Sequence, residues 1–335
     1  MAEETKSGVR VALGAMWLVA AMLFVAGYAR AFGDVIDDAY ITFRYVLNWA
    51  ERGELAYNPG VVVEGFSTPL WVFLHYPFAE LGAPLPVVAH VLGLLAFGLT
   101  VFLAVDTVRL LGGAMWQRHV AGAVVLGNFP LLYYSVTGME TGFFAMLTVA
   151  SAWRYLHAGR RVIADGAFLL FLVAICRPEG ILYPALLFLC ELWKFERRAE
   201  DSESPKRSLL WLLAGGGAFG VFLLWRYRTF GALLPNTFLA KPPGSGDLEV
   251  DNNPFLMSLD YLGEFVLQCG VLLPALALGC LRKNLRRDTA VVGLFVGAGF
   301  IFGLYTGGDW MPEGRYYLPI YPLVIVASCV ALGGL

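Results

Sequence analysis

Residues 86–111 read "PVVAHVLGLLAFGLTVFLAVDTVRLL", and between Val91 and Val105 no side chain is charged. Wound as a helix, about 20 apolar residues match the hydrocarbon thickness of a bilayer. Strands of a membrane barrel would alternate apolar and polar positions in short segments instead. Comparable apolar stretches fall near 11–32, 119–136, 141–157, 162–176, 180–194, 208–229, 259–281, 289–306 and 316–335. Backbone in lipid has no water to bond, so it must satisfy its own N–H and C=O groups, as a helix does. The expected fold class is an all-α polytopic membrane protein, with about ten transmembrane helices if each stretch of near-spanning length crosses.

Composition points the same way. Of 335 residues, 58% are hydrophobic and only 15% charged, against roughly a quarter charged in a soluble domain. Mean hydropathy is +0.66 and the isoelectric point is near 6.1. A net charge of −2 offers no basic surface, so nucleic acid is not an expected partner. Cys176, Cys190, Cys269, Cys280 and Cys329 form no CxxC and pair with no nearby His at metal-ligand spacing. They read as small buried side chains. The first apolar stretch follows Lys6 and Arg10 without a convincing cleavage site, which fits a retained anchor.

The stretch 69–82 carries His75, Pro77 and Glu80, and it suits a helix lying on the membrane better than one crossing it. With that helix laid flat, Arg109 and Arg118, Arg160 and Arg161, "KFERRAEDSESPKR" (194–207) and "RKNLRR" (282–287) all share the side of the N-terminus. The positive-inside rule makes that side cytoplasmic. The outer face then receives 33–82, 137–141, 176–180, 230–258 and 306–315, loops rich in acidic residues, Gly, Pro and aromatics.

"DDAYITFRYVLNWAERG" (37–53) opens the first outer loop with two adjacent carboxylates. As a helix it sets Asp37, Arg44 and Glu51 near one face, beside an apolar stripe of Tyr40, Phe43 and Leu47. One aspartate suffices as an N-cap. A second carboxylate beside it adds repulsion, which favours a proton acceptor. "YNPG" (57–60) is a turn, and Ser67 or Thr68 with Pro69 starts a second short helix. Glu64 between them braces the loop or belongs to a site. Glu140 and the pair Arg177/Glu179 lie at outer helix ends, either as a functional group or as a buried pair joining loops. Asn236 and Lys241 lie among prolines. Lys241 suits a phosphate as a point charge, and Arg44 or Arg177 as a bidentate partner. Asp309, Trp310 and Arg315 follow a glycine pair, with the Trp face suited to a sugar ring or lipid headgroup. The run Gly215–Gly217 reads as a helix-packing feature. No nucleotide-binding glycine loop, zinc-protease motif or serine-hydrolase elbow is present.

Taken together, "DDAYITFRYVLNWAERGELAYNPGVVVEGFSTPLW", "SVTGMET", "CRPEG", "LLPNTFLAK" and "GGDWMPEGRYYLP" resemble the mycobacterial cell-wall β-arabinofuranosyltransferase group and its bacterial relatives, within the GT-C superfamily of membrane glycosyltransferases. The resemblance covers about 33–320, nearly the whole chain. It implies a seven-helix module over 1–230, with two membrane-surface helices in outer loop 33–82. Residues 231–335 would add an outer loop and three further transmembrane helices. The mycobacterial members continue into more helices and an extracytoplasmic domain. This chain stops at Leu335, so a shorter or truncated member is expected.

The resemblance also implies a polyprenyl-phosphate sugar donor, with an arabinofuranose-like pentose, and a glycan or lipid acceptor on the extracytoplasmic face of a bacterial plasma membrane. A hydroxyl acceptor needs a carboxylate base, for which Asp37 and Asp38 are the candidates, with inversion at the sugar. A lipid phosphate leaves as a stable anion and needs cationic stabilisation rather than an acid. Arg44, Arg177, Lys241 and Arg315 are candidates for that task. Glu64, Glu140, Glu179, Asn236 and Asp309 would brace loops or hold sugar hydroxyls, and Trp310 would stack on the ring. No cofactor is specified by these residues. A divalent cation bridging carboxylates is compatible with such a loop, but no ligand set specifies one. The rival readings are a lipid-linked sugar transporter or flippase, which would carry mid-helix polar residues and internal symmetry, and a non-catalytic membrane scaffold.

Overall fold

The computed structural model describes residues 16–17, 19–20, 22–24, 26–27, 35–197, 203–237, 254–270, 272, 283–308, 311 and 313–333. Described residues between Met16 and Gly27 are helical. Two short helices follow, α1 (Asp37–Arg52) and α2 (Pro69–Glu80). Then come α3 (Leu85–Leu110), α4 (Met115–Leu126), α5 (Phe129–Val136), α6 (Thr141–His157) and α7 (Ala164–Cys176). A 3-10 turn (Pro178–Ile181) leads into α8 (Leu182–Arg197) and α9 (Glu203–Phe230), followed by α10 (Pro254–Cys269), α11 (Lys283–Thr306) and α12 (Tyr321–Leu332). Among the described residues the only strand-like pairing is the bridge Asn58–Val61.

Against about ten expected crossings, three described helices are long and apolar enough to span: Leu85–Leu110, Lys206–Phe230 and Thr289–Thr306. A fourth arises if α4 and α5 count as one span, but they meet at a bend of 54°. The bend has a local cause. Gly127 ends α4, Asn128 caps α5 by accepting the Leu131 N–H at 2.8 Å, and Pro130 cannot continue the first helix. The apolar stretch 316–335 yields only twelve helical residues in α12, because turns occupy 313–320. Of the expected stretch 259–281, positions 271 and 273–281 lie outside the described residues, Cys280 among them.

Five hydroxyls inside apolar helices are satisfied within their own turn. Thr100, Thr107, Ser135, Thr148 and Ser151 each donate to the carbonyl four residues earlier, at 2.6–2.8 Å. The core is built where α3 packs on α6 and α4, with α12 laid against α3, α4 and α11. Every residue from Tyr321 to Ala331 is buried, so α12 is a core helix. Gln117 of α4 donates to the Cys329 carbonyl and so satisfies one of the last carbonyls of α12. Cys176, Cys269 and Cys329 are buried, as expected, and Cys190 is half-buried. In the Gly215–Gly217 run only Gly215 packs, against Ala167 of α7; Gly216 and Gly217 border open space.

The bundle has two polar ends. At one, Asp106 holds Arg109 and accepts from the Trp153 indole, Arg154 pairs with Asp165 at 2.6 Å, and Lys194 pairs with buried Glu191 at 2.5 Å. At the other end, the 231–237 segment bonds the loop after α1, the start of α1 bonds the 137–140 turn, and the 177–181 turn links that turn to the one before α12.

Candidate functional site

The site is assembled from α1 outward. Its N-cap is Ile36, in extended backbone, and Asp37 and Asp38 occupy the first two helical positions. Neither aspartate is therefore the N-cap residue. Asp37 Oδ1 accepts the N–H of Asp38 at 3.0 Å and so satisfies one first-turn donor, in keeping with the favour that helix starts show for acids. Asp37 is exposed and Asp38 half-buried. The helix closes on Gly53, at φ 71°.

One face of α1 is fastened to the rest of the chain. Ala39, Thr42, Phe43, Tyr45, Val46 and Asn48 are buried, whereas Tyr40, Ile41, Arg44, Leu47 and Glu51 are exposed. The expected stripe of Tyr40, Phe43 and Leu47 thus divides: Phe43 turns into the protein against His75, and the other two face outward. Asn48 donates to the carbonyls of Ala56 and Tyr57 at 2.8 and 2.9 Å. Tyr45 Oη donates to the Val63 carbonyl at 2.7 Å and accepts the Gly65 N–H at 2.8 Å. Burial pushes the Tyr45 phenol above its ordinary value. The expected turn at 57–60 forms, with Val61 N–H donating to the Asn58 carbonyl at 3.0 Å. Thr68 is the N-cap of α2 by position, with Pro69 next, but its hydroxyl makes no capping bond.

The start of α1 rests on the 137–140 turn. Ile36 N–H donates to the Thr137 carbonyl at 3.1 Å, and the Trp71 indole of α2 donates to the Gly138 carbonyl at 3.0 Å. Gly138 has φ +85°, and an added Cβ would stand 2.7 Å from a Val35 methyl. His75, fully buried four residues after Trp71, has Nδ1 2.8 Å from the Trp71 carbonyl. Burial pulls its imidazole down to about 4.

Next to that turn lies a buried ionic cluster. Arg177 Nη1 meets Glu140 at 2.7 Å and its Nε meets Glu179 at 2.5 Å, with all three side chains at 5% exposure or less. The guanidinium also lies 5.3 Å from the Tyr316 ring and 5.8 Å from that of Phe144. Arg315, half-buried, approaches the same Tyr316 ring at 5.8 Å. The structure therefore sets Arg177, with Glu140 and Glu179 paired to it, and Arg315 against one aromatic side chain. Arg177, read as able to grip phosphate, has its Nε and Nη1 already engaged by carboxylates.

Glu64 and Asn236 also come together. Asn236 N–H donates to the Glu64 backbone carbonyl at 3.1 Å, while the Asn236 side chain stays exposed. The Glu64 carboxylate meets Arg226 of α9, whose Nε is 3.0 Å from Oε1 and 2.9 Å from Oε2. Burial pushes the Glu64 carboxyl above the usual carboxylate range, against the opposing pull of Arg226. Arg44 is exposed, with Nε 3.2 Å from the Tyr57 carbonyl. Lys241, Asp309 and Trp310 lie outside the described residues. Among those described, no group of three or more His, Cys, Asp or Glu side chains is arranged to hold a metal ion.

Sequence reading missed Arg226, Tyr45, Asn48 and Tyr316. A signal existed for Arg226, an ionisable residue inside the apolar run "FLLWRY". Tyr45 and Asn48 were readable only as polar residues on the inner side of an amphipathic helix.

No family model matches the chain. Across 368 aligned residues, covering 97% of its length, it is 27% identical to the terminal β-(1→2)-arabinofuranosyltransferase of Mycobacterium tuberculosis. The chain spans 56% of that relative's length. The similarity covers nearly the whole chain and supports the resemblance that the five loop motifs carry.

Proposed function

We propose that the protein is a membrane glycosyltransferase that moves an arabinofuranose-like sugar from a polyprenyl-phosphate donor to a hydroxyl of a glycan or lipid acceptor. The observation that carries this reading is the docking of the acidic start of α1 on the 137–140 turn, whose Glu140 pairs with Arg177 of the next turn. The 27% identity to a mycobacterial arabinofuranosyltransferase supports the sugar. In this reading α1 and α2 lie on the outer membrane surface, which the exposed Tyr40, Ile41 and Leu47 favour. The basic end faces the cytoplasm, and the shorter apolar helices complete about ten crossings by packing on neighbours and tilting. Residues 1–230 form the catalytic module, and 231–335 extend it.

The acceptor oxygen attacks the anomeric carbon from the face opposite the phosphate. Asp37 or Asp38 takes the hydroxyl proton as that bond forms. The bond from the anomeric carbon to the phosphate oxygen breaks, and polyprenyl phosphate leaves with the electron pair. Exposed Arg44, with Lys241 and Arg315, neutralises the charge that develops there. Glu140, Arg177 and Glu179 hold the turns on which α1 rests. Incubation with synthetic polyprenyl-phosphate sugars and a glycan acceptor tests the reading. Transfer with inversion is expected, and folded protein that transfers neither pentose nor hexose would sink it.

A further inference from the structure

Arg226 occupies a position that no step above uses. It sits near the end of α9, 7% exposed, inside an otherwise apolar run. A guanidinium there is tolerated only if its donors are met. Its Nε faces both Glu64 oxygens, at 3.0 and 2.9 Å, and its Nη1 donates to the Leu233 carbonyl at 3.3 Å. The Phe222 ring lies 5.0 Å from the guanidinium carbon. One side chain thus joins three segments: α9, the loop between α1 and α2, and the 231–237 stretch. That stretch is fastened to the same point a second time, through Asn236 N–H and the Glu64 carbonyl.

The consequence reaches α1 through the residues beside Glu64. Val63 and Gly65 both hydrogen-bond the Tyr45 hydroxyl, and Tyr45 belongs to the buried face of α1. Asn48 holds the start of the loop through the Ala56 and Tyr57 carbonyls, and Phe66 packs near its end against Tyr45 and Phe230, but the middle lies open. Residues 57–63 are exposed, including Val61, Val62 and Val63. We propose that Arg226 is a positioning residue, a staple that holds the α1–α2 loop on α9 and thereby sets where the helix bearing Asp37 and Asp38 sits. As far as it concerns catalysis, this rests on the function proposed above.

The test compares full-length wild type with Arg226→Met, Arg226→Lys and Glu64→Gln, purified in lipid nanodiscs. Trypsin cleavage is followed after exposed Arg52, beside the stapled loop, and after exposed Arg161, at the opposite polar end. Arg226→Met is expected to speed cleavage at Arg52 and leave Arg161 unchanged. Its kcat per folded molecule should fall about tenfold to hundredfold, the scale of a small misplacement of a reacting group, with KM within about threefold. Glu64→Gln should move both readouts in the same direction. Arg226→Lys should recover part of the loss, since one ammonium can meet Glu64 but loses the directed bond to Leu233. Wild-type cleavage at Arg52 in Arg226→Met overturns the staple, as does equal acceleration at both sites, which reports general unfolding. Looser cleavage with unchanged kcat overturns its bearing on the aspartates. If wild type transfers no sugar at all, the proposed function fails, and the cleavage comparison alone decides the staple.

Discussion

The backbone N–H of Ile36 donates to the carbonyl of Thr137 at 3.1 Å, although the two are a hundred residues apart in the chain. The first helix is thereby registered on the turn that leads into Glu140. Ile36 directly precedes the "DDAYITF" motif and Thr137 lies within "SVTGMET", and the two look unrelated until this bond joins them. The pair Asp37 and Asp38 follows directly, so whatever moves the 137–140 turn moves the aspartates.

Gly138 is where that dependence is easiest to probe. It adopts φ +85°, and a Cβ would stand 2.7 Å from Val35 and 3.1 Å from Ala39. Gly138→Ala is expected to cost about 1–3 kcal/mol through left-handed backbone alone. Transfer should fall further than folded protein does, because the added methyl pushes on α1. Thermal unfolding with activity per folded molecule checks this, and an unchanged transition with full transfer would dismiss the contact.

Asp37→Asn and Asp38→Asn separate the two carboxylates. Loss of the base should lower transfer by about 10²- to 10⁴-fold in one of them. Asp37 also accepts the Asp38 N–H, so Asp37→Asn keeps an acceptor there and should remain folded. Radiolabelled sugar transfer at matched membrane abundance is the measurement. Full transfer by both variants would remove the base assignment.

Arg177→Met leaves Glu140 and Glu179 buried with their shared cation gone. Breaking such a cluster costs about 3–5 kcal/mol, visible as a lowered unfolding temperature. Arg177→Lys should recover only part of it, because one ammonium replaces two directed guanidinium contacts. A Met variant as stable as wild type would mean that the carboxylates find another partner.

His75 predicts a pH dependence. Its folded value lies near 4, below the 6.5 of the free side chain, so the folded state holds fewer protons. The stability from burying the neutral ring is complete above pH 6.5 and erodes as pH falls toward 4. His75→Asn, which can still donate to Trp71, should flatten the change in unfolding temperature between these limits. Parallel curves for the two proteins would count against it.

Much of this was legible beforehand. Two short helices at 38–52 and 69–82 were readable from Pro69, the "YNPG" turn and amphipathic spacing, and they form as Asp37–Arg52 and Pro69–Glu80. Partner choice was not readable. Glu140 and Arg177 lie 37 residues apart and Glu64 and Arg226 lie 162 apart, and only packing brings either pair together. Hydropathy also misses the difference between α9, largely uncovered by protein, and α12, wholly covered. The middle of α9, 209–225, and α12 are both apolar all round, since lipid and protein interior reward the same side chains.

The burial of α12 bears on how the molecule is made. It emerges from the ribosome after every other described helix, yet its neighbours α3, α4 and α6 are early ones. Synthesis proceeds from the N-terminus at about 5–20 residues per second. For some seconds to tens of seconds at that pace, the nascent bundle carries an empty slot lined by side chains meant for protein contact. Lipid tails or the insertion machinery must occupy it until α12 displaces them sideways.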